Sequence, residues 1–170
     1  GGTKLNGSGN VSTCVDYLVE QGINCVQIMP AYDFQSVDET KGGSGNRNWG
    51  YDPQNYNVPE GSYSSNPYRG EVRIRELKQA IASLHAQGFR VIMDVVYNHV
   101  HDSGSFCFNR IVPGYFSRIS SDGTYSNGSC CGNDTASERS MVCKYIVDSV
   151  KYWADEYHID GFRFDLVGLI

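Results

Sequence analysis

Three short apolar runs, each with an amphipathic stretch before it, restrict this chain more than any other feature. The runs are INCVQIMP (23–30), FRVIMDVVYN (89–98) and the stretch 159–167 around GFRFDLV. Residues 12–21 read as a helix, with Thr13 and Asp16 spaced as a capping pair and Gly22 as its stop. Residues 71–87 carry Ile74, Leu77, Ile81 and Leu84 on one stripe and end at Gly88. Thr135 and Glu138 read as a capping box ahead of a third helix, whose inner face is Val142, Ile146, Ser149, Trp153 and Tyr157. Strands of this length alternating with such helices predict an α/β fold, built from right-handed βα units around a parallel sheet. The β-branched middle run predicts a strand covered on both faces.

Two long stretches rich in Gly, Asn, Ser and Pro, 31–70 and 99–136, are expected to be irregular. Each follows the C-terminal end of a strand, the end at which α/β folds carry their active sites. Loops of such length are commonly functional, and the aromatic residues in the first argue against disorder. Polar residues collect at the same ends: Asp94, Asn98 and His99 after the second run, Arg163 and Asp165 in the third.

Composition narrows the partners. The chain has 170 residues, enough for one domain with a core, and no second domain is visible. A net charge of −5 without basic tracts argues against a nucleic-acid partner. No apolar run approaches the ~18–20 residues of a membrane-spanning helix, so no membrane partner is expected. The opening GGTKLNGSGN lacks the apolar centre of a secretory leader. Cys14, Cys25, Cys107, Cys130, Cys131 and Cys143 form no CxxC pair. Cys14 and Cys25 fall in apolar stretches and read as small hydrophobes, while Cys130–Cys131 lies in a polar loop. Free thiols are favoured, which leans toward a reducing, cytoplasmic compartment without fixing it. Asn-x-Ser/Thr triplets begin at Asn6, Asn10, Asn127 and Asn133; they matter only on a eukaryotic secretory route and are read as chance.

Three clusters carry chemistry. Arg163 and Asp165 are two residues apart, so they share one side of a strand with Phe162 and Phe164 on the other. An arginine beside it keeps a carboxylate ionised and oriented, as a nucleophile requires; a structural ion pair is the plainer alternative. DVVYNHVHD (94–102) places His99, His101 and Asp102 close in sequence, a weak metal pattern that fits a polar strand end equally. NRNWGYDPQNY (46–56) offers flat rings at Trp49, Tyr51 and Tyr56 beside Asp52 and several asparagines. Rings and hydrogen-bonding groups together suit a sugar; a loop packed by its own aromatics is the alternative.

In this order the clusters resemble the α-amylase family of glycoside hydrolases. DVVYNHV and GFRFDLVG are similar to two of its signature regions. NWGYDP resembles the hallmark of type I pullulanases, the starch- and glycogen-debranching branch, although Arg47 stands where those enzymes usually carry Tyr. The flanking EGSYSSNPYRGEVRIRELKQAI and GNDTASERSMVCKYIVDSVKYWADEYHIDG also look like pullulanase sequence. The resemblance implies a (β/α)8 barrel, of which this chain is an internal piece with about strands 2 to 4, their helices and long βα loops. It implies that Asp165 is the catalytic nucleophile and Arg163 its hydrogen-bonding partner. It implies substrate-binding roles for Tyr51, stacked under the sugar, for Asp52 in support, for Trp49 and His99, and for Asp94 as a brace.

The same likeness makes an α-glucan such as pullulan, amylopectin or a glycogen-derived dextrin the expected partner. No cofactor is required; the residue matching Asn98 ligates calcium in many amylases, so Asn98 is a candidate ligand for a structural calcium. Retaining chemistry pairs the nucleophile with a second carboxyl about 5 Å away. The resemblance puts that glutamate and a third carboxylate on later strands, so this piece alone is expected to be inactive. A dual α-1,6/α-1,4 enzyme, an α-amylase-type hydrolase and a non-catalytic carbohydrate-binding relative are the alternatives.

Overall fold

The computed structural model describes residues 3–4, 11–41 and 46–170; the triplets at Asn6 and Asn10 begin outside them. A short antiparallel pair, β1 (Thr3–Lys4) with β2 (Ser12–Thr13), precedes α1 (Cys14–Glu20). Then follow β3 (Cys25–Ile28), β4 (Tyr32–Phe34), β5 (Pro53–Pro59) and α2 (Gly70–Ala86). The chain continues through β6 (Arg90–Val95), α3 (Cys107–Ile111), α4 (Ser140–Tyr157) and β7 (Gly161–Phe164). Strands β3, β6 and β7 form a parallel sheet with β6 in the middle. The fold is thus mixed α/β around a parallel sheet, as the alternating pattern predicts.

The middle strand shows why. Val91, Met93 and Val95 are buried on one face, where the alternation of the strand puts every second side chain. Ile92 and Asp94 take the other face. Helix α4 buries Val142, Ile146, Ser149, Trp153 and Tyr157, the whole predicted inner stripe. Ser149 belongs there because its hydroxyl shares a 2.7 Å hydrogen bond with the buried Tyr97 phenol. Trp153 is fully buried and its indole N–H donates to the Tyr56 carbonyl at 3.0 Å. Helix α2 buries Ile81 and Val72 and packs Leu77 and Leu84 against the core, but Ile74 stays exposed. Gly22 and Gly88 follow their helices at φ of +70° and +85°, the left-handed stop that glycine adopts freely.

Five expectations are corrected. The stretch 31–70 is not irregular throughout: β4 and β5 pair as an antiparallel ribbon inside it. Prolines at both ends and asparagines between hid β5, because both are poor strand formers. The stretch 99–136 likewise holds α3 and bridges from Ser117 to Thr135 and from Ile119 to Tyr125. Thr135 and Glu138 cap nothing, since α4 begins at Ser140 with Arg139 as its N-cap. The Thr135 amide instead donates to the Asn98 carbonyl, and Glu138 pairs with Arg118 at 2.8 Å. The last strand stops at Phe164 rather than running to 167, because Leu166 takes a left-handed φ of +46° and turns the chain into a short 3-10 helix. Cys14 and Cys25 are exposed, as are the other four cysteines, and all six are free thiols.

Candidate active site

The parallel register of β6 and β7 sets Asp94 directly beside Arg163. Neighbours in register on one sheet face point the same way, so their side chains meet. One Arg163 Nη1 donates to both Asp94 oxygens, at 2.9 and 3.0 Å, and to Asp165 Oδ1 at 2.8 Å. Asp165 lies one residue beyond β7, yet its amide still donates to the Val95 carbonyl at 2.8 Å. The ladder therefore extends far enough to keep Asp165 on the face of Arg163. Asp94 is buried, whereas the Asp165 side chain is 18% exposed and that of Arg163 44%. The guanidinium is held charged, its pKa raised first by its hydrogen bond to Asp94 and then by the charges of Asp94 and Asp165.

Tyr51 reaches the same cluster from the loop before β5. Its phenol donates to Asp94 Oδ2 at 2.6 Å. Burial and that bond push the phenol pKa up to about 12, so it stays a donor at any working pH. Gly50 makes this approach possible. It has φ +87°, and a Cβ there would lie 2.9 Å from the Pro30 carbonyl oxygen. Only a residue without a side chain passes so close to that backbone.

Asp52 acts as the clasp of this loop. Its carboxylate accepts from the Asn48 amide at 2.9 Å, from the Ser36 backbone N–H at 2.7 Å and from the Ser36 hydroxyl. Ser36 and Asn48 are supporting residues that the motifs did not single out; Asn48 lies within the NWGYDP cluster and Ser36 carries no local signal. Trp49 is 74% exposed, and among the described residues no hydrogen bond or ring contact ties it to the charged cluster. Tyr56, read from the sequence as a third flat ring, is instead a core residue that packs on Tyr32, Tyr97 and Phe116.

Asn98 and His99 lie beneath the cluster. The Asn98 amide nitrogen donates to the Asp165 carbonyl at 2.8 Å and faces Asp165 Oδ2 at 3.5 Å. Its amide oxygen meets His99 Nδ1. His99 is buried, and desolvation holds its pKa below the usual histidine value despite nearby carboxylates. Its ring is therefore neutral near pH 7. Both ends of the Asn98 amide are thus engaged within the chain, and the residue is fully buried. His101 and Asp102 do not join His99: His101 lies 3.6 Å from Asp52, and Asp102 accepts from the Gly104 amide.

Among the described residues, the carboxylates near enough to share a cation are Asp33, Glu39 and Glu60. Their oxygens already accept from Asn55, Arg73 and the backbone amides of Phe34, Gly61 and Ser62. Burial, with Glu60 and Glu39 adding to it, pushes the Asp33 pKa up to about 6. An acid whose folded-state pKa lies above its unfolded value binds its proton more tightly when folded. Its contribution is complete below about pH 4 and lost as pH rises through about 6. Relative to Asp33→Asn, the unaltered chain is expected to lose of order 1–3 kcal/mol of stability between pH 4 and 7. Denaturant titrations of both proteins across that range check this; parallel pH curves would refute it.

The family model described as the alpha amylase catalytic domain matches residues 5–112. The pullulanase of Bacillus subtilis (strain 168) is 49% identical over 165 residues, covering 97% of this chain and 22% of that protein. The crystal structure of the Paenibacillus barengoltzii pullulanase in complex with maltohexaose and alpha-cyclodextrin superposes with a TM-score of 0.93 at 53% identity. The match covers 96% of this chain and 26% of that one. The type I pullulanase of Bacillus subtilis str. 168 complexed with maltose gives a TM-score of 0.92 at 46% identity, over 99% of this chain and 24% of the other. This chain thus spans about a quarter of the length of the relatives it matches.

Proposed function

The chain belongs to the alpha-amylase catalytic-domain family, and from that premise we propose that it carries the nucleophile side of a retaining glycoside hydrolase site. The reaction is hydrolysis of α-1,6-glucosidic branch linkages in an α-glucan, the activity its pullulanase relatives are named for. The carrying observation is the Arg163 guanidinium bound at once to Asp94 and Asp165 at the ends of adjacent parallel strands. In this reading the sheet belongs to a (β/α)8 barrel, with β3, β6 and β7 near its second to fourth strands.

Each residue then has a task. Asp165 attacks the anomeric carbon and forms a covalent glycosyl-enzyme as the bond to the leaving oxygen breaks. A second carboxyl, supplied by another strand of the barrel, protonates that oxygen and later takes a proton from water. Arg163 fixes the orientation of the Asp165 oxygen it binds. Asp94 anchors Arg163 and the Tyr51 phenol, so the Tyr51 ring is set as a platform for the sugar in the cleavage subsite. Asp52 holds the loop that carries Tyr51. His99, neutral and enclosed, contributes hydrogen bonding rather than charge. Trp49 extends an exposed ring to the rim. The chemistry needs no organic cofactor, and no step passes through a metal.

A substrate panel tests the proposal. An enzyme bearing this chain is expected to release maltotriose from pullulan and to leave amylose intact. Cleavage of amylose alone would move the site to α-1,4 bonds; binding of both glucans with cleavage of neither would make the chain an accessory binder.

A further inference from the structure

Beside the catalytic loop runs a second depression, which the chemistry above does not use. A cavity of about 530 Å³ lies between the β4–β5 ribbon and the start of α2. A smaller one of about 120 Å³ adjoins it, and Gln35, Gln54 and Asn55 line both. Together they form one furrow along the ribbon.

Its floor is rigid. Arg73 donates to Glu39 at 2.6 Å and to the Pro67 carbonyl at 2.9 Å, tying α2 to the ribbon side. Glu39 also accepts from the Gly61 amide at 2.9 Å. Arg73 and Glu39 neutralise each other, Asp33 beside them accepts from the Asn55 amide, and among the described residues lining the cavity no free cation is left to hold a phosphate or carboxylate. The rim is different. Gln35 and Gln54 are exposed, and among the described residues neither side-chain amide has a hydrogen-bond partner. The Tyr68 ring stands 80% exposed at the same furrow. Neutral amides that both donate and accept, next to a flat ring, suit a neutral polyhydroxylated ligand.

Position selects which one. Gln54 is three residues past Tyr51, so the two backbones are no more than ~11 Å apart. The Gln35 backbone N–H donates to the Asp52 backbone carbonyl at 3.1 Å, joining the furrow to the loop that carries Tyr51. We propose that this furrow is a second α-glucan-binding site, holding a neighbouring segment of the polymer whose branch point occupies the Asp165 site. The ligand class rests on the proposed function, and the furrow itself on the free amides and ring.

The test uses an enzyme bearing this chain and the double variant Gln54→Ala/Tyr68→Ala, both positions being exposed and outside the charged cluster. Calorimetry with maltohexaose in an Asp165→Asn background is expected to show two binding events, one of which the double variant loses. With Asp165 intact, the double variant is expected to cleave a short α-1,6-linked maltotriosyl dimer normally but to show KM for amylopectin raised roughly three- to ten-fold. Unchanged stoichiometry together with unchanged amylopectin KM would overturn the furrow. Xylohexaose is the control; its equal binding in the furrow would overturn the ligand class. A binding event lost in the double variant, in an enzyme that hydrolyses no glucan, would support the furrow and refute the catalytic reading instead.

Discussion

Asp165→Asn is expected to lower kcat for pullulan by roughly 10³-fold or more while leaving pullulan binding nearly unchanged. The substitution is almost isosteric. Its backbone bond to Val95 and the contact from Asn98 to its carbonyl do not depend on the charge. What disappears is the anionic oxygen that attacks the anomeric carbon. The amide also no longer satisfies Arg163, which keeps Asp94 as its remaining partner. Because Asp94 is buried and holds that guanidinium on its own, the site is expected to stay folded. Reducing-end assays of kcat, paired with calorimetric binding of pullulan to the same variant, separate the two effects. Loss of both together would point to a structural role for Asp165; retention of kcat would remove it as the nucleophile.

Much of this was legible before any coordinates. Apolar period and length mark the three strands of the parallel sheet, although only β6 buries a face here, while β3 and β7 are half-buried to exposed. The inner stripe of α4 follows from the need to bury one face. Arg163 and Asp165 declare themselves because two charges inside an apolar run are costly unless used. The sequence does not show what binds them together. Asp94 meets Arg163 through strand register, a long-range pairing that no local pattern carries. The ribbon β4–β5 stayed hidden for a related reason. Its residues PQNYNVP have little strand preference, and it exists because Tyr56 and Pro59 find buried places against the rest of the core. The false capping box at Thr135 shows the reverse error. Its local spacing suits a helix start, but the backbone there is already committed to Asn98 and Ser117. Tertiary pairing prevailed over local preference in each case, and these are the segments that shape the site.

Asp94 therefore carries the second large effect. It accepts from Tyr51 at 2.6 Å and from Arg163 at 2.9 and 3.0 Å, so it fixes both the platform and the partner of the nucleophile. Asp94→Asn retains an oxygen for the Tyr51 phenol but loses the charge that anchors Arg163. Asp94→Ala loses both and leaves a polar gap. The expected fall in kcat is on the order of 10²-fold for Asn and 10³-fold for Ala, since an orienting group acts through the nucleophile it places. The stability cost is smaller than for a sealed ion pair. Arg163 is well exposed, so water takes up part of what Asp94 gave, and about 1–3 kcal/mol is expected for Ala. A positioning role predicts a further sign that simple destabilisation does not. With its anchor gone Arg163 no longer fixes the Asp165 oxygen, so kcat for pullulan should fall in Asp94→Asn while KM stays nearly unchanged. A fall in kcat that only tracks the loss of folded protein in a denaturation assay would mean that Asp94 supports the fold and not the nucleophile.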